Sequence, residues 1–219
     1  AVTFSLTFTS LANPFNLPNG FTFPIIVVFL DDQLGTGSAM LLPGSGMRLP
    51  RGATWNYAFK LTGETLHVFQ GTPNGWQDVT NRYPTRLTLQ GTTIIMSSSV
   101  PRPEKLELYG MVGSYTGFNE TGWTPINRSE SPWAYSSPTQ IPAALDVIAP
   151  TFEAQQDALA SGVLPVIRPP RPTNPWIFVM IGGVLVAVLG VMLRFAPGRH
   201  RTLAPSYTLT PTVSSSSVP

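Results

Sequence analysis

Residues 2–9, VTFSLTFT, alternate strictly, with Val2, Phe4, Leu6 and Phe8 on one side and Thr3, Ser5, Thr7 and Thr9 on the other. A period of two is the signature of a strand buried on one face. Further strands are expected over 23–30, 54–61, 65–70, 86–90, 92–97 and 105–110. Turn signals separate them: LPNG, LPGSG, LTGE, TPNG and LQGTT. Thr62-Gly63-Glu64 and Gln90-Gly91 fit tight hairpin connections. The seven-residue apolar run at 24–30 ends at Asp31-Asp32 and is too short to span a bilayer, so it reads as a buried strand. Short strands with frequent Gly, Pro and Asn turns predict a mainly β fold, an antiparallel β-sandwich or barrel-like domain over 1–110.

From Met111 the alternation is lost, and 111–150 reads as an irregular Gly/Pro/aromatic segment packed on the domain or on a partner. Residues 151–162 predict a short helix closed by Gly162, and 163–175 a proline-rich spacer containing RPPRP. The pattern then changes completely. Residues 176–193, WIFVMIGGVLVAVLGVML, are 18 positions with no charge and no amphipathic face. At 1.5 Å per residue they make a helix of about 27 Å, close to the hydrocarbon thickness of a bilayer. One C-terminal transmembrane α-helix is therefore predicted over 176–196. Trp176 is its interfacial aromatic, and Arg194, Arg199 and Arg201 are its basic flank. Residues 197–219 form a Ser/Thr/Pro-rich tail.

Charge is segregated along the chain. All 11 acidic residues lie at or before Asp157, whereas Arg168, Arg171, Arg194, Arg199 and Arg201 follow without an acid. With the Lys-poor N-terminal part, and a start at Ala1 as after signal-peptide removal, this favours a cell-membrane protein with an extracytoplasmic N-terminal domain and a cytoplasmic tail. The net charge of +2 is too small and scattered for nucleic-acid binding.

Candidate chemistry is sparse. With no Cys and 2 His, disulfides, thiol nucleophiles and cysteine-ligated metals are excluded, and no metal or cofactor is expected. Ser45, in LPGSGM, lacks the glycine spacing of a nucleophile elbow. His67 reads as a structural residue on a strand, and Asp31-Asp32 as turn caps in place of a calcium site. His200, beyond the membrane edge, reads as part of the solvated basic flank. The sequons at Asn119 and Asn127 are no more than composition predicts. No catalytic residue is expected, and the chain reads as a non-enzyme.

Interaction signals lie in and after the span. Gly182, Gly183, Ala187 and Gly190 form a small-residue stripe on which another helix can dock. Tyr207, Leu209 and Val213 are the apolar anchors of the tail. The leading functional expectation is a non-catalytic, single-pass accessory or structural subunit of a larger membrane complex, such as a photosynthetic or respiratory assembly. Its partners are the lipid bilayer and other integral membrane subunits, met through the helix, the irregular segment and the tail. The alternative is a surface adhesin or receptor, a β-sandwich on a proline stalk, with Trp55, Trp76, Trp123 and Trp133 available for a ligand face.

Overall fold

Strand β2 (Pro24–Asp31) is buried along nearly its whole length, as its unbroken apolar run requires of a central strand covered on both sides. It sits in the middle of a six-stranded antiparallel sheet. Its companions are β3 (Tyr57–Leu61), β4 (Leu66–Thr72), β5 (Gly75–Asp78), β8 (Glu107–Ser114) and β11 (Ala144–Ile148), in the order β11-β8-β2-β3-β4-β5. A second antiparallel sheet has the order β1-β7-β6, from β1 (Val2–Thr7), β6 (Thr85–Gln90) and β7 (Thr93–Ser98). A short parallel pair, β9 (Ile126–Asn127) and β10 (Tyr135–Ser136), and one helix, α1 (Phe152–Ser161), complete the elements among the described residues. This computed structural model describes residues 1–103, 105–127, 134–136 and 142–169.

The two sheets pack as a sandwich. Ile26, Val28 and Leu30 of β2, with Phe59, Leu61 and Val68, meet Val2, Ile94 and Met96 of the small sheet. Phe4 reaches across to Phe59, ring centroids 5.3 Å apart and edge to face. Each such side chain, fully buried, contributes roughly 1.5–3 kcal/mol. The odd-numbered side chains of β2 (Ile25, Val27, Phe29) belong to a different cluster on the opposite face. That face is covered by chain segments and α1 in place of a sheet: Leu42, Trp55, Trp123, Ala158 and Leu164 all lie in the cluster.

Helix α1 begins where the Thr151 side chain accepts the Ala154 N–H, and it ends at Gly162, whose φ of 69° only glycine adopts freely. The chain then stays on the domain. Leu164 is fully buried, Leu108 and Ile167 exchange backbone hydrogen bonds of 2.8 and 2.9 Å, and Arg168 bonds to Glu107. Residues 163–168, expected to open the spacer, are thus tied to the strand edge.

Several element boundaries differ from the sequence pattern. β8 does not stop at Gly110 but runs through Met111 to Ser114. Its two glycines hide the alternation, and Gly113 is required because a side chain there would overlap the Trp123 indole. β5 and β11 are strands that no period of two announced. The strand expected from 54 begins at Tyr57, because Trp55 pairs with Ser38 through two backbone hydrogen bonds. Both hairpin connections are present, at 62–65 and 91–92.

Among the described residues, no helix is long and apolar enough to cross a membrane. The span expected over 176–196 lies outside them, and so do its flanks, its docking stripe, His200, the tail and Trp133.

Candidate binding groove on the large sheet

The face of the large sheet that carries Ile25, Val27 and Phe29 continues onto β3, β4 and β5, and there the cover stops. Strand register sets the exposed row: Lys60 opposes His67, and Phe69 opposes both Ala58 and Asp78. Alternation therefore places Lys60, His67, Phe69, Trp76 and Asp78 on one side of three adjacent strands. They line a groove of about 340 Å³, walled on its far side by the loop 115–122. That volume is at the lower end of the range for ligand sites.

The aromatic groups are locked together. The Phe69 and Trp76 rings lie 5.3 Å apart at 80°, and the His67 ring stacks on Phe69 at 5.9 Å and 22°. Trp76 remains 41% exposed on the edge strand, whereas Trp55 and Trp123 are buried at 0% and 2%. Of the tryptophans considered for a ligand face, these three thus separate into two core residues and one surface residue. Gly71 is what lets Trp55 lie beneath the β4–β5 hairpin, since a side chain there would overlap the Trp55 carbonyl.

The polar groups are similarly fixed. The His67 Nδ1 and Asp78 Oδ2 atoms are 2.8 Å apart, and the other Asp78 oxygen accepts from both the hydroxyl and the N–H of Thr80. Burial pushes the Asp78 carboxyl up, but its bonds with Thr80 and His67 outweigh this and hold it below its ordinary value of 3.8. Lys60 donates to the Thr121 carbonyl at 2.8 Å, and burial lowers its ammonium pKa. Tyr115 donates to Glu64 at 2.6 Å, and burial together with that bond pushes its phenol up to about 12. Asn119 ties the loop: its amide nitrogen donates to the Trp123 carbonyl and its oxygen accepts from Gly122 and Thr121.

The groove is thus a preformed surface of rings and hydrogen-bonding groups. It holds no Ser or Thr bonded to His67, the arrangement that would activate a nucleophile, among the described residues. Ser45 is 1% exposed and caps a turn by accepting the Met47 N–H. Asp31 and Asp32 likewise cap a turn, accepting the N–H groups of Gln33 and Leu34. Among the described residues no group of three His, Cys, Asp or Glu is placed to hold a metal ion.

The sequence pattern marks His67 as a framework residue and carries no signal that joins Lys60 and Asp78 to it. The available signal was the alternation in LHVFQ, which sends Leu66 and Val68 inward and His67 and Phe69 to the other face. Pairing Phe69 with Asp78 needed β5, which the sequence hid.

None of the curated proteins matches the chain significantly. A family model does: the C-terminal, SLH-like binding module of glucodextranase matches residues 1–165. That match covers most of the chain, including the described strands and helix α1. The chain belongs to this family of SLH-like binding modules.

Proposed function

We propose that this protein is a non-catalytic surface-binding module on the outside of the cell, anchored in the membrane by the span expected over 176–196. The observation that carries the reading is the groove. The loop-covered sheet face is closed over an apolar core as far as Ala58 and Gly71, and opens around Lys60, His67, Phe69, Trp76 and Asp78, where it presents Trp76 and a fixed set of polar groups. Membership of a binding-module family supports binding in place of turnover, and its SLH-like character supports the cell surface. The fall from acidic residues before Asp157 to arginines after it suits an exterior domain joined to a basic membrane edge.

The test uses the full chain. It should resist alkaline extraction from membranes, be shaved by protease added to intact cells, and bind isolated cell envelopes saturably after purification in detergent. Protection of the β domain in intact cells, or no saturable envelope binding, contradicts the reading. The accessory-subunit reading rests on the stripe Gly182, Gly183, Ala187 and Gly190. It predicts a stoichiometric partner in mild detergent that is lost when Gly183→Leu and Ala187→Leu are combined. An unchanged assembly in that double variant removes it.

A further inference from the structure

We infer that the free edge of β1 is a docking site for one extended segment of another protein, added as a fourth strand to the small sheet. The site opens between the two sheets, on the face of the large sheet opposite the groove described above, and does not depend on that groove.

The two sheets are unequal in width. Val2, Phe4 and Leu6 of β1 pack with Val28 and Leu30 of β2. Beyond β2 the large sheet continues to β8 and β11, whereas the small sheet ends at β1. The difference leaves an apolar cleft of about 510 Å³, walled by residues 1–6 and floored by Leu108, Gly110, Ile148 and Ile167. It lies where a fourth strand would pack.

The edge of β1 is itself open. Phe8 donates to the Thr92 carbonyl, so in an antiparallel register Val2, Phe4 and Leu6 turn their backbone groups towards β7. The N–H and C=O groups of Thr3, Ser5 and Thr7 therefore point away from β7, and among the described residues they make no hydrogen bond. The other edges of the two sheets are guarded: β5 carries Asp78, β6 carries Arg86, and β11 is bulged and carries Asp146. β1 runs from Val2 to Thr7 without a charge, a proline or a break in register. An unguarded edge above an apolar floor suits strand addition, with backbone bonds along one side and alternate side chains beneath.

The occupant follows from chain length and charge. After Pro169, which borders the cleft, only residues 170–175 precede the expected span, and three of these six are proline. They supply no strand. β1 of a second copy carries its own large sheet beneath it, so β8 and β11 of the two copies would compete for one space. A single segment of another chain meets neither obstacle. The site sets its chemistry: free of proline, apolar at the alternate positions that face the floor, and acidic at one end. There it meets Arg102, which borders the cleft without an ion pair among the described residues.

The experiment titrates labelled peptides into the full chain in detergent and reads fluorescence anisotropy. The parent peptide has the alternation of β1 itself, VTFSLTFT, followed by a glutamate. Two derivatives are N-methylated, one on the Thr and Ser amides and the other on the Val, Phe and Leu amides. Directly opposed residues share a sheet face, so only the first derivative loses the donors that meet Thr3, Ser5 and Thr7. The parent and the second derivative should bind saturably, and the first about tenfold more weakly or worse. Ser5→Pro removes an outward N–H and no bond to β7, so it should weaken the parent about tenfold with little change in melting temperature. Equal binding of the two derivatives makes the cleft merely apolar and overturns strand addition. Parent binding that is absent, or unchanged in Ser5→Pro, overturns the site. A dimer of the chain alone that dissociates in Ser5→Pro makes a second copy the occupant and overturns the assignment to another protein. None of these outcomes bears on the groove, because no envelope material is present.

Discussion

Two halves of one sheet face behave in opposite ways. On β11, β8 and β2 the face carries Val147, Tyr109, Met111, Ile25, Val27 and Phe29, all buried under covering segments and α1. On β3, β4 and β5 the same face, with the same strand period, carries Lys60, His67, Phe69, Trp76 and Asp78 around an open groove. Phe69 marks the seam, packing on the core cluster while stacking with His67 and meeting Trp76. Strand geometry alone does not decide whether a face becomes core or site. Cover decides it, and the cover ends where the segment holding Trp55 passes beneath the β4–β5 hairpin. A tryptophan under the cover fixes the fold; one beyond it stays exposed to solvent.

Removing those two tryptophans should separate the halves most sharply. Trp55→Ala empties a fully buried site and deletes the indole hydrogen bond to the Met40 carbonyl, so it should cost about 3–5 kcal/mol in denaturant unfolding. Trp76→Ala should cost no more than about 1 kcal/mol, because its ring is 41% exposed. Equal losses would mean that Trp76 is a core residue and the groove a packing defect. Gly113→Ala is next. Its new methyl overlaps the Trp123 ring beside β8 and should lower stability by about 1–3 kcal/mol, seen as a shift in unfolding midpoint with an unchanged slope.

Arg168→Ala probes the edge where the chain leaves the domain. Its guanidinium lies 2.7 Å from Glu107, but the arginine side chain is 69% exposed while Glu107 is 11% exposed. Solvent screening limits the pair itself, and Glu107 keeps the Tyr109 hydroxyl, so a loss of about 1 kcal/mol is expected by thermal unfolding. The smallest effects are in pH dependence. Burial holds the Asp31 carboxyl above its ordinary 3.8, against the opposing bonds from Gln33 and Thr54. The folded state then binds that proton more tightly than the unfolded state. Asp31 therefore lowers stability as pH rises from 3.8 through its raised folded value. Asp78 has the opposite sign: held below 3.8, it adds stability as pH rises towards that value and loses it on acidification. Melting temperatures from acid to neutral pH should thus lose a downward component in Asp31→Asn and an upward one in Asp78→Asn.

The sandwich was legible in the sequence wherever an element carried its full pattern within itself. VTFSLTFT declares β1, and Phe8 still bonds to Thr92 just past its end. PIIVVFL declares a strand covered on both sides, and TFEAQQDALASG carries its own cap and stop. The ends of β4 and β8 were hidden for one shared reason. Glycines placed for close approach, Gly71 beside Trp55 and Gly113 beside Trp123, are dictated by distant residues and break the local period. The groove was hidden further still. Lys60, His67 and Asp78 come from three strands, and only their register brings them to one side. Nothing within TLHVFQ distinguishes a framework histidine from one paired with a carboxylate eleven positions later.

On the proposed function, the uncovered half of the sheet face is where this module meets its ligand. Backbone hydrogen exchange of the full chain, with and without solubilised envelope material, tests it most directly. Protection should appear in Leu66–Thr72, Gly75–Asp78 and the loop 115–122, with Thr85–Gln90 unchanged. Protection confined to Val2–Thr7 and Thr85–Gln90, with those segments unaffected, would place the binding face on the opposite side of the sandwich and contradict the account.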